Sequence, residues 1–183
     1  MAEVKLRRPA YEDCAGVARA HVASWQVGYR GLMPADFLAA QDPEARTQQR
    51  RDSWHDPDYA HVRGFVAEVD GQIVGFVNYG PYRKSHDRGW AAVDPNGGGE
   101  VYALYVDPDH WGCGAGAELL DAAVTDLLQA AETPVRVWSL TGNERALRFY
   151  RRHGFVSDGK TQMIRIGLDP TIELPEERLT LPG

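Results

Sequence analysis

The stretch V-Y-A-L-Y-V-D-P-D-H-W-G-C-G-A-G-A-E-L-L, Val101 to Leu120, decides how this chain is read. Val101 to Val106 has a strand pattern, and Gly112, Gly114 and Gly116 follow it closely. From Gly114 to about Glu132, Leu119, Leu120, Ala123, Leu127 and Leu128 fall on one face of a helix. A strand feeding a glycine loop and a helix start suits an anion: the first helical N–H groups lack partners, the macrodipole favours negative charge, and glycine lets oxygen approach the backbone. A tight turn with close helix-to-sheet packing fits the same glycines.

Upstream, Val4 to Arg7 reads as a short strand closed by Pro9, and Tyr11 to about Tyr29 as a helix carrying Cys14, Val17, Ala18, His21, Val22 and Trp25 at helical spacing. Gly31 and Pro34 stop it. Pro34 opens a short helix through Phe37 and Leu38, and Pro43 opens another, rich in Arg and Gln, ending near His55. Val62 to Val69 and Gln72 to Tyr79 form a hairpin around Asp70-Gly71, a pair suited to positive φ at both turn positions. Arg83 to Gly99 is a loop rich in Gly, Asp and Pro, expected to be mobile, as a lid or as an ordinary connection.

Downstream, Val135 to Leu140 is a strand and Asn143 to His153 a helix between Gly142 and Gly154. The section from Phe155 divides less readily, into two strands of which the last is at Arg178 to Leu181. No repeat or linker interrupts the order, so residues 1–183 are expected to form a single domain of α/β (α+β) class.

With 183 residues and a formal net charge of −6, the chain is poorly matched to nucleic acid or an anionic membrane, whose binding draws on Lys and Arg. A cationic small molecule or peptide is the better-matched partner. Cys14 and Cys113 show no disulfide spacing, and the N-terminal residues lack an apolar signal core, so the expectation is a cytoplasmic protein. His21, His55, His61, His86, His110 and His153 show no metal-ligand spacing, and no metal is expected.

Three anionic ligand classes compete for the loop. A nucleoside triphosphate loop needs Lys and Ser or Thr where Ala117 and Glu118 stand. Gly112 to Ala117 satisfies the dinucleotide pattern G-x-G-x-x-A, but the following strand ends at Ser139 and Leu140 with no acidic residue, and Glu132 precedes it. The third class is coenzyme A. Leu104-Tyr105-Val106-Asp107-Pro108, then Trp111-Gly112-Cys113-Gly114-Ala115-Gly116, resembles the GNAT acetyltransferase motif L-y-V-x-P followed by Q/R-x-x-G-x-G/A. Asn143 to Phe155 resembles that family's N-x-x-A-x-x-F-Y-x-x-x-G-F. Trp111 departs from it, standing where Gln or Arg is usual.

The resemblance implies a GNAT fold: a mixed, mostly antiparallel central sheet of about six or seven strands, splayed between strands 4 and 5, with helices on both faces. It implies acetyl-CoA as cosubstrate and direct transfer of acetyl to a primary amine of a small molecule or peptide in a ternary complex. Leu104, Tyr105 and Val106 would hold pantetheine and the acetyl carbonyl, and the backbone from Trp111 through Gly112, Cys113, Gly114, Ala115 and Gly116 the pyrophosphate. Asn143 would bond pantetheine amides or simply cap its helix. Tyr150 matches the general acid near sulfur, and Glu100 the glutamate base of some members.

Acceptor-lining candidates are Trp25, Tyr29, Phe37, Tyr79, Tyr82 and Tyr102, with Asp36, Asp87 or Glu173 meeting a cationic group. No nucleic acid or membrane partner is expected, and pairing into a homodimer is left open. A catalytically silent acetyl-CoA-binding regulatory module is the rival reading.

Overall fold

The structure is a computed structural model that describes residues 3–84, 92–167 and 172–182. Seven strands, β1 (Lys5–Arg7), β2 (Arg63–Val69), β3 (Gln72–Pro81), β4 (Gly99–Val106), β5 (Val135–Leu140), β6 (Val156–Ile166) and β7 (Ile172–Leu181), share one sheet in the order β1-β2-β3-β4-β5-β7-β6. The helices are α1 (Cys14–Gly28), α2 (Ala35–Ala39), α3 (Pro43–Asp52), α4 (Ala115–Gln129) and α5 (Glu144–Arg152). The fold is the mixed, mostly antiparallel α/β architecture expected, with β4 and β5 parallel. Among the described residues their ladder is registered at Gly99–Val101 against Val135–Val137 only.

The chain forms two compact units, Met1–Tyr79 with Ala103–Asp126, and Gly80–Tyr102 with Leu127–Gly183. In the first, the β2–β3 hairpin turns at Asp70 and Gly71 with φ of 49° and 77°, as the Asp-Gly pair predicts. The long helix predicted from Tyr11 begins as a 3-10 turn, Tyr11–Asp13, before α1. Asp13 anchors that start, accepting from the Ala10 N–H at 2.7 Å and pairing with Arg7 at 2.6 Å. Val17, Val66 and Phe76 form a buried cluster with Ile73, Ala103 and Tyr105 packed against it. Each such apolar side chain contributes about 1.5–3 kcal/mol when fully buried. Gly16 lets α1 come close to β3, since a Cβ there would lie 2.9 Å from the Ile73 side chain.

Helix α3 starts as predicted: Pro43 opens it, and Asp42 accepts from the N–H groups of Glu44 and Ala45. After Pro43 its sequence P-E-A-R-T-Q-Q-R-R-D has no apolar side chain larger than alanine, so aliphatic Arg stems and Thr47 supply its packing.

In the second unit the glycine run is packed rather than open. A Cβ on Gly99 would meet the Leu127 side chain at 2.8 Å, and one on Gly97 the Tyr82 side chain at 2.8 Å. The described ends of the loop expected to be mobile are hydrogen-bonded, Tyr82 N–H to Gly98 at 2.8 Å and Asp94 N–H to Tyr82 at 2.7 Å. His86 and Asp87 lie outside the described residues. The last strand is longer than expected, and β6, the other strand expected in that section, whose bounds the sequence did not give, pairs antiparallel with it. Polar contacts join them: Arg178 donates to Asp158 at 2.7 Å, and Gln162 to Glu176 at 3.0 Å.

Candidate active site

The first part of the candidate site is built where β4 ends. Pro108 opens a 3-10 turn, and Asp107 caps it by accepting from the Asp109 N–H at 3.0 Å. The N–H groups of Trp111 and Cys113 donate back to Pro108 and His110 at 3.2 and 3.3 Å. Trp111 and Cys113 therefore use their N–H groups within the loop, which narrows the predicted anion cradle. Gly112 and Gly114 have φ of 88° and 101°, conformations that disfavour a side chain. The N–H groups of Ala117 and Glu118 donate to Gly114 at 3.0 and 3.1 Å. Those of Gly112, Gly114, Ala115 and Gly116 have no hydrogen-bond partner among the described residues. Orphan donors at the start of a 15-residue helix form a site fitted to a pyrophosphate.

Trp111 does not leave its indole for a ligand. Its Nε1–H donates to the Val106 carbonyl at 2.8 Å and ties the loop to the strand end. Leu104 and Tyr105 are half-buried, Val106 is buried, and the Cys113 thiol is free and half-buried.

A second group in the same unit brings α1, α2 and β4 together. His21 stacks on Tyr105, centroids 4.7 Å apart and planes 19° apart. Trp25 lies edge-on to Tyr29 at 5.5 Å and near Phe37 at 6.4 Å, and the hydroxyls of Tyr29 and Tyr105 are 3.1 Å apart. Of the predicted acceptor residues, Trp25, Tyr29 and Phe37 therefore meet.

Tyr79 does not line an open surface. It is fully buried, its hydroxyl accepting from Arg8 at 2.6 Å and donating to Asp126 at 2.9 Å. Burial pushes its phenol up to about 12.

Sequence reasoning passed over Arg46 and Arg50 of α3. Arg46 lies over the Trp25 ring at 5.5 Å and Arg50 over Phe76 at 4.8 Å. Burial lowers both guanidinium groups, that of Arg50 to about 10. The His21 imidazole is held well below its ordinary value, first by burial and then by these two cations. The missed signal was an α3 with no apolar stripe and Arg at i and i+4, which share one face.

In the second unit, the Glu100 carboxylate is fully buried and accepts from the Arg83 N–H at 2.9 Å, Nε at 3.2 Å and Nη2 at 2.5 Å. It is held as half of an ion pair, an arrangement unlike that of an open base. Tyr102 donates to the Pro81 carbonyl at 2.5 Å beneath the Arg83 guanidinium, and the Tyr82 hydroxyl accepts from Arg178 at 2.8 Å. Tyr150 is buried on α5 with Phe149 and Phe155 edge-on at 5.3 and 5.7 Å. Asn143 caps α5, accepting from the Ala146 N–H at 3.2 Å.

The acidic candidates are engaged at the surface: Asp36 accepts from the Phe37 N–H, and Glu173 pairs with Arg165 at 2.7 Å. Among the described residues no three His, Cys, Asp or Glu converge as metal ligands, and no helix is long and apolar enough to cross a membrane.

Comparison with known proteins bears on what the loop holds. The uncharacterized N-acetyltransferase YuaI of Bacillus subtilis is 30% identical over 151 residues, covering 82% of this chain and 79% of that protein. A mycothiol acetyltransferase of Acidimicrobium ferrooxidans is 36% identical over 118 residues, 64% of this chain, and the chain spans only 34% of that relative's length. PaiA N-acetyltransferase of Thermoplasma acidophilum, solved in complex with coenzyme A, has the same fold with a TM-score of 0.70 at 16% identity, covering 96% of this chain and 98% of that one. The model of the acetyltransferase (GNAT) family matches residues 25–155, and with the glycine cradle and the sheet described above it establishes that the chain belongs to that family.

Proposed function

We propose that this acetyltransferase moves the acetyl group of acetyl-CoA directly to a primary amine of a small molecule or peptide, within one ternary complex and as a single catalytic domain. The observation that carries the reading is the set of orphan N–H groups at Gly112, Gly114, Ala115 and Gly116. It is an anion cradle with neither the Lys nor the acidic residue that the competing phosphate ligands require.

Acetyl-CoA supplies an activated thioester carbonyl. Those N–H groups take its pyrophosphate, and the backbone of Leu104, Tyr105 and Val106 takes the pantetheine arm, the Val106 N–H being aimed at the acetyl oxygen as an oxyanion donor. Trp111 acts through its bond to Val106, holding the strand end in shape. The Asn143 side-chain amide keeps its N–H donors for pantetheine while its oxygen caps α5.

The acceptor must arrive as a free amine, which for an alkylamine of pKa about 10.4 is about one molecule in a thousand at neutral pH. Trp25 and Tyr29 offer an apolar wall that favours the neutral amine. Attack by its nitrogen forms the C–N bond and breaks the C–S bond. Tyr150 gives its hydroxyl proton to the departing sulfur, a transfer uphill by about 2 kcal/mol before the site adjusts either group. Glu100 holds Arg83 in this reading, and solvent takes the amine proton.

Thiol release from acetyl-CoA over an amine panel tests the reaction. Turnover with at least one amine supports it, and acetyl-CoA binding without turnover on a broad panel favours the silent module. Tyr150→Phe should lower kcat about 100-fold with acetyl-CoA affinity unchanged; equal kcat across pH removes Tyr150 as the acid.

A further inference from the structure

Arg46 and Arg50 are partly desolvated cations without a counter-charge. Neither has an ion pair with a carboxylate among the described residues; Arg46 donates only to Gln41 and Gln49, at 3.1 and 2.9 Å, and Arg50 has no hydrogen bond. They stand four residues apart on α3, so they repel one another, and burial raises the cost of that repulsion. Arg83 and Arg178 differ: Arg83 meets Glu100, and Arg178 meets Asp158.

The surroundings leave one indole N–H donor and one imidazole donor unused. The buried Nδ1 and Nε2 of His21 and Nε1 of Trp25 have no hydrogen-bond partner. Buried polar atoms of this kind call for a partner that the chain itself does not provide. His21 lies within the electrostatic reach of both arginines and against Tyr105 of β4, the strand proposed to carry the acetyl group. Two guanidinium groups, an indole N–H and a neutral imidazole facing aromatic rings make a site complementary to an anion.

We propose that Arg46 and Arg50 read an anionic group on the acceptor, so that the substrate class is an amine that also carries a carboxylate or a phosphonate. This rests on the acetyltransferase reading above for the role of the amine, and on the α1–α3 geometry alone for the anion. It reverses the expectation from net charge. The formal −6 of the whole chain is spread over other residues, while this cluster is locally positive.

Binding to the intact protein without acetyl-CoA is measured by calorimetry for α-amino acids and aminoalkylphosphonates, each against its neutral amide or ester. Acid should exceed amide by about 30-fold, the scale for a charge facing a desolvated partner, and the carboxylate and phosphonate arms identify the anion. Arg50→Met should bring the ratio towards one, with Arg50→Lys restoring part of it. Acid and amide binding equally in the wild-type chain, or no acid binding at millimolar levels, overturns the proposal without any variant. So does Arg50→Met weakening acetyl-CoA while sparing the acid preference, because the cations then serve the cosubstrate.

Acid-selective binding with no acetyl transfer to any amine leaves the anion site standing and removes the catalytic reading. Acetyl transfer with no acid preference does the opposite.

Discussion

Two buried arginine settings in this molecule differ in one respect. Arg83 has a carboxylate: Glu100 takes its guanidinium and its N–H, and the side chains are 11% and 0% exposed. Among the described residues Arg50 has aromatic and thiol neighbours but no acid, and its guanidinium is lowered to about 10 by burial. A charge that finds its partner within the chain serves the fold. A desolvated charge that does not is poised for something that arrives. The residues are alike in type, and their partners separate the two roles.

The largest expected effect tests the paired setting. Glu100→Gln leaves a buried guanidinium facing a neutral amide, at a cost of about 3 kcal/mol. In a chain of this length that lowers Tm by about 8 °C, measurable by scanning calorimetry. An unchanged Tm with a rate loss that deepens as pH falls would restore Glu100 as the base, since free amine is scarcest there.

Next comes the field that the unpaired cations impose. Burial, then Arg46 and Arg50, hold the folded His21 imidazole well below 6.5, while in the unfolded chain it titrates near 6.5. Below that pH the unfolded state binds the extra proton, so stability falls as pH drops from about 7 to about 5, by up to about 1.4 kcal/mol per unit. His21→Phe removes this slope. Urea midpoints at the two pH values, compared between wild type and variant, isolate it from the other histidines. Equal slopes would mean that His21 takes its proton when folded, and that the cluster is less cationic than its geometry implies.

The same contrast explains what could be read in the sequence. The β2–β3 hairpin and the loop from Trp111 to Gly116 were legible because positive φ selects Asp-Gly and glycine, a local constraint written in the residues themselves. The expected cofactor positions on β4 were legible through motif resemblance. The bounds of β6 and most of β7 were not, because Glu176 and Arg178 lie inward and break the apolar alternation that marks a strand. Their burial depends on Gln162 and Asp158, partners more than ten residues away in the chain. Arg46 and Arg50 were missed for the complementary reason. A lone Arg-rich helix reads as a solvated face, and only tertiary packing shows that its cations are covered and unmatched. Glu100 illustrates the limit at the site itself: the motif position suggested a base, and the Arg83 contact could not be inferred from it.

Trp111 stands between the two settings, a neutral donor with one neutral acceptor. Trp111→Phe keeps the ring and removes the bond to the Val106 carbonyl, so a loss of about 1 kcal/mol in urea unfolding is expected. A loss as large as that for Glu100→Gln would show that charge pairing is not what distinguishes the structural contacts.

The smallest effect is the sharpest test. Arg50→Met removes a cation that has no hydrogen bond or ion pair among the described residues, so no buried partner is stranded. It forfeits an attraction to the Phe76 ring 4.8 Å away, about 0.5–1 kcal/mol, and relieves a desolvation cost and the repulsion from Arg46. Methionine fills much of the same aliphatic path along α3. The terms oppose one another, and the unliganded Tm should stay within about 2 °C of wild type, measured beside Glu100→Gln in the same buffer. If Arg50→Met falls as far as Glu100→Gln, Arg50 serves the fold as Arg83 does, and its lack of an acid ceases to mark a place for a ligand.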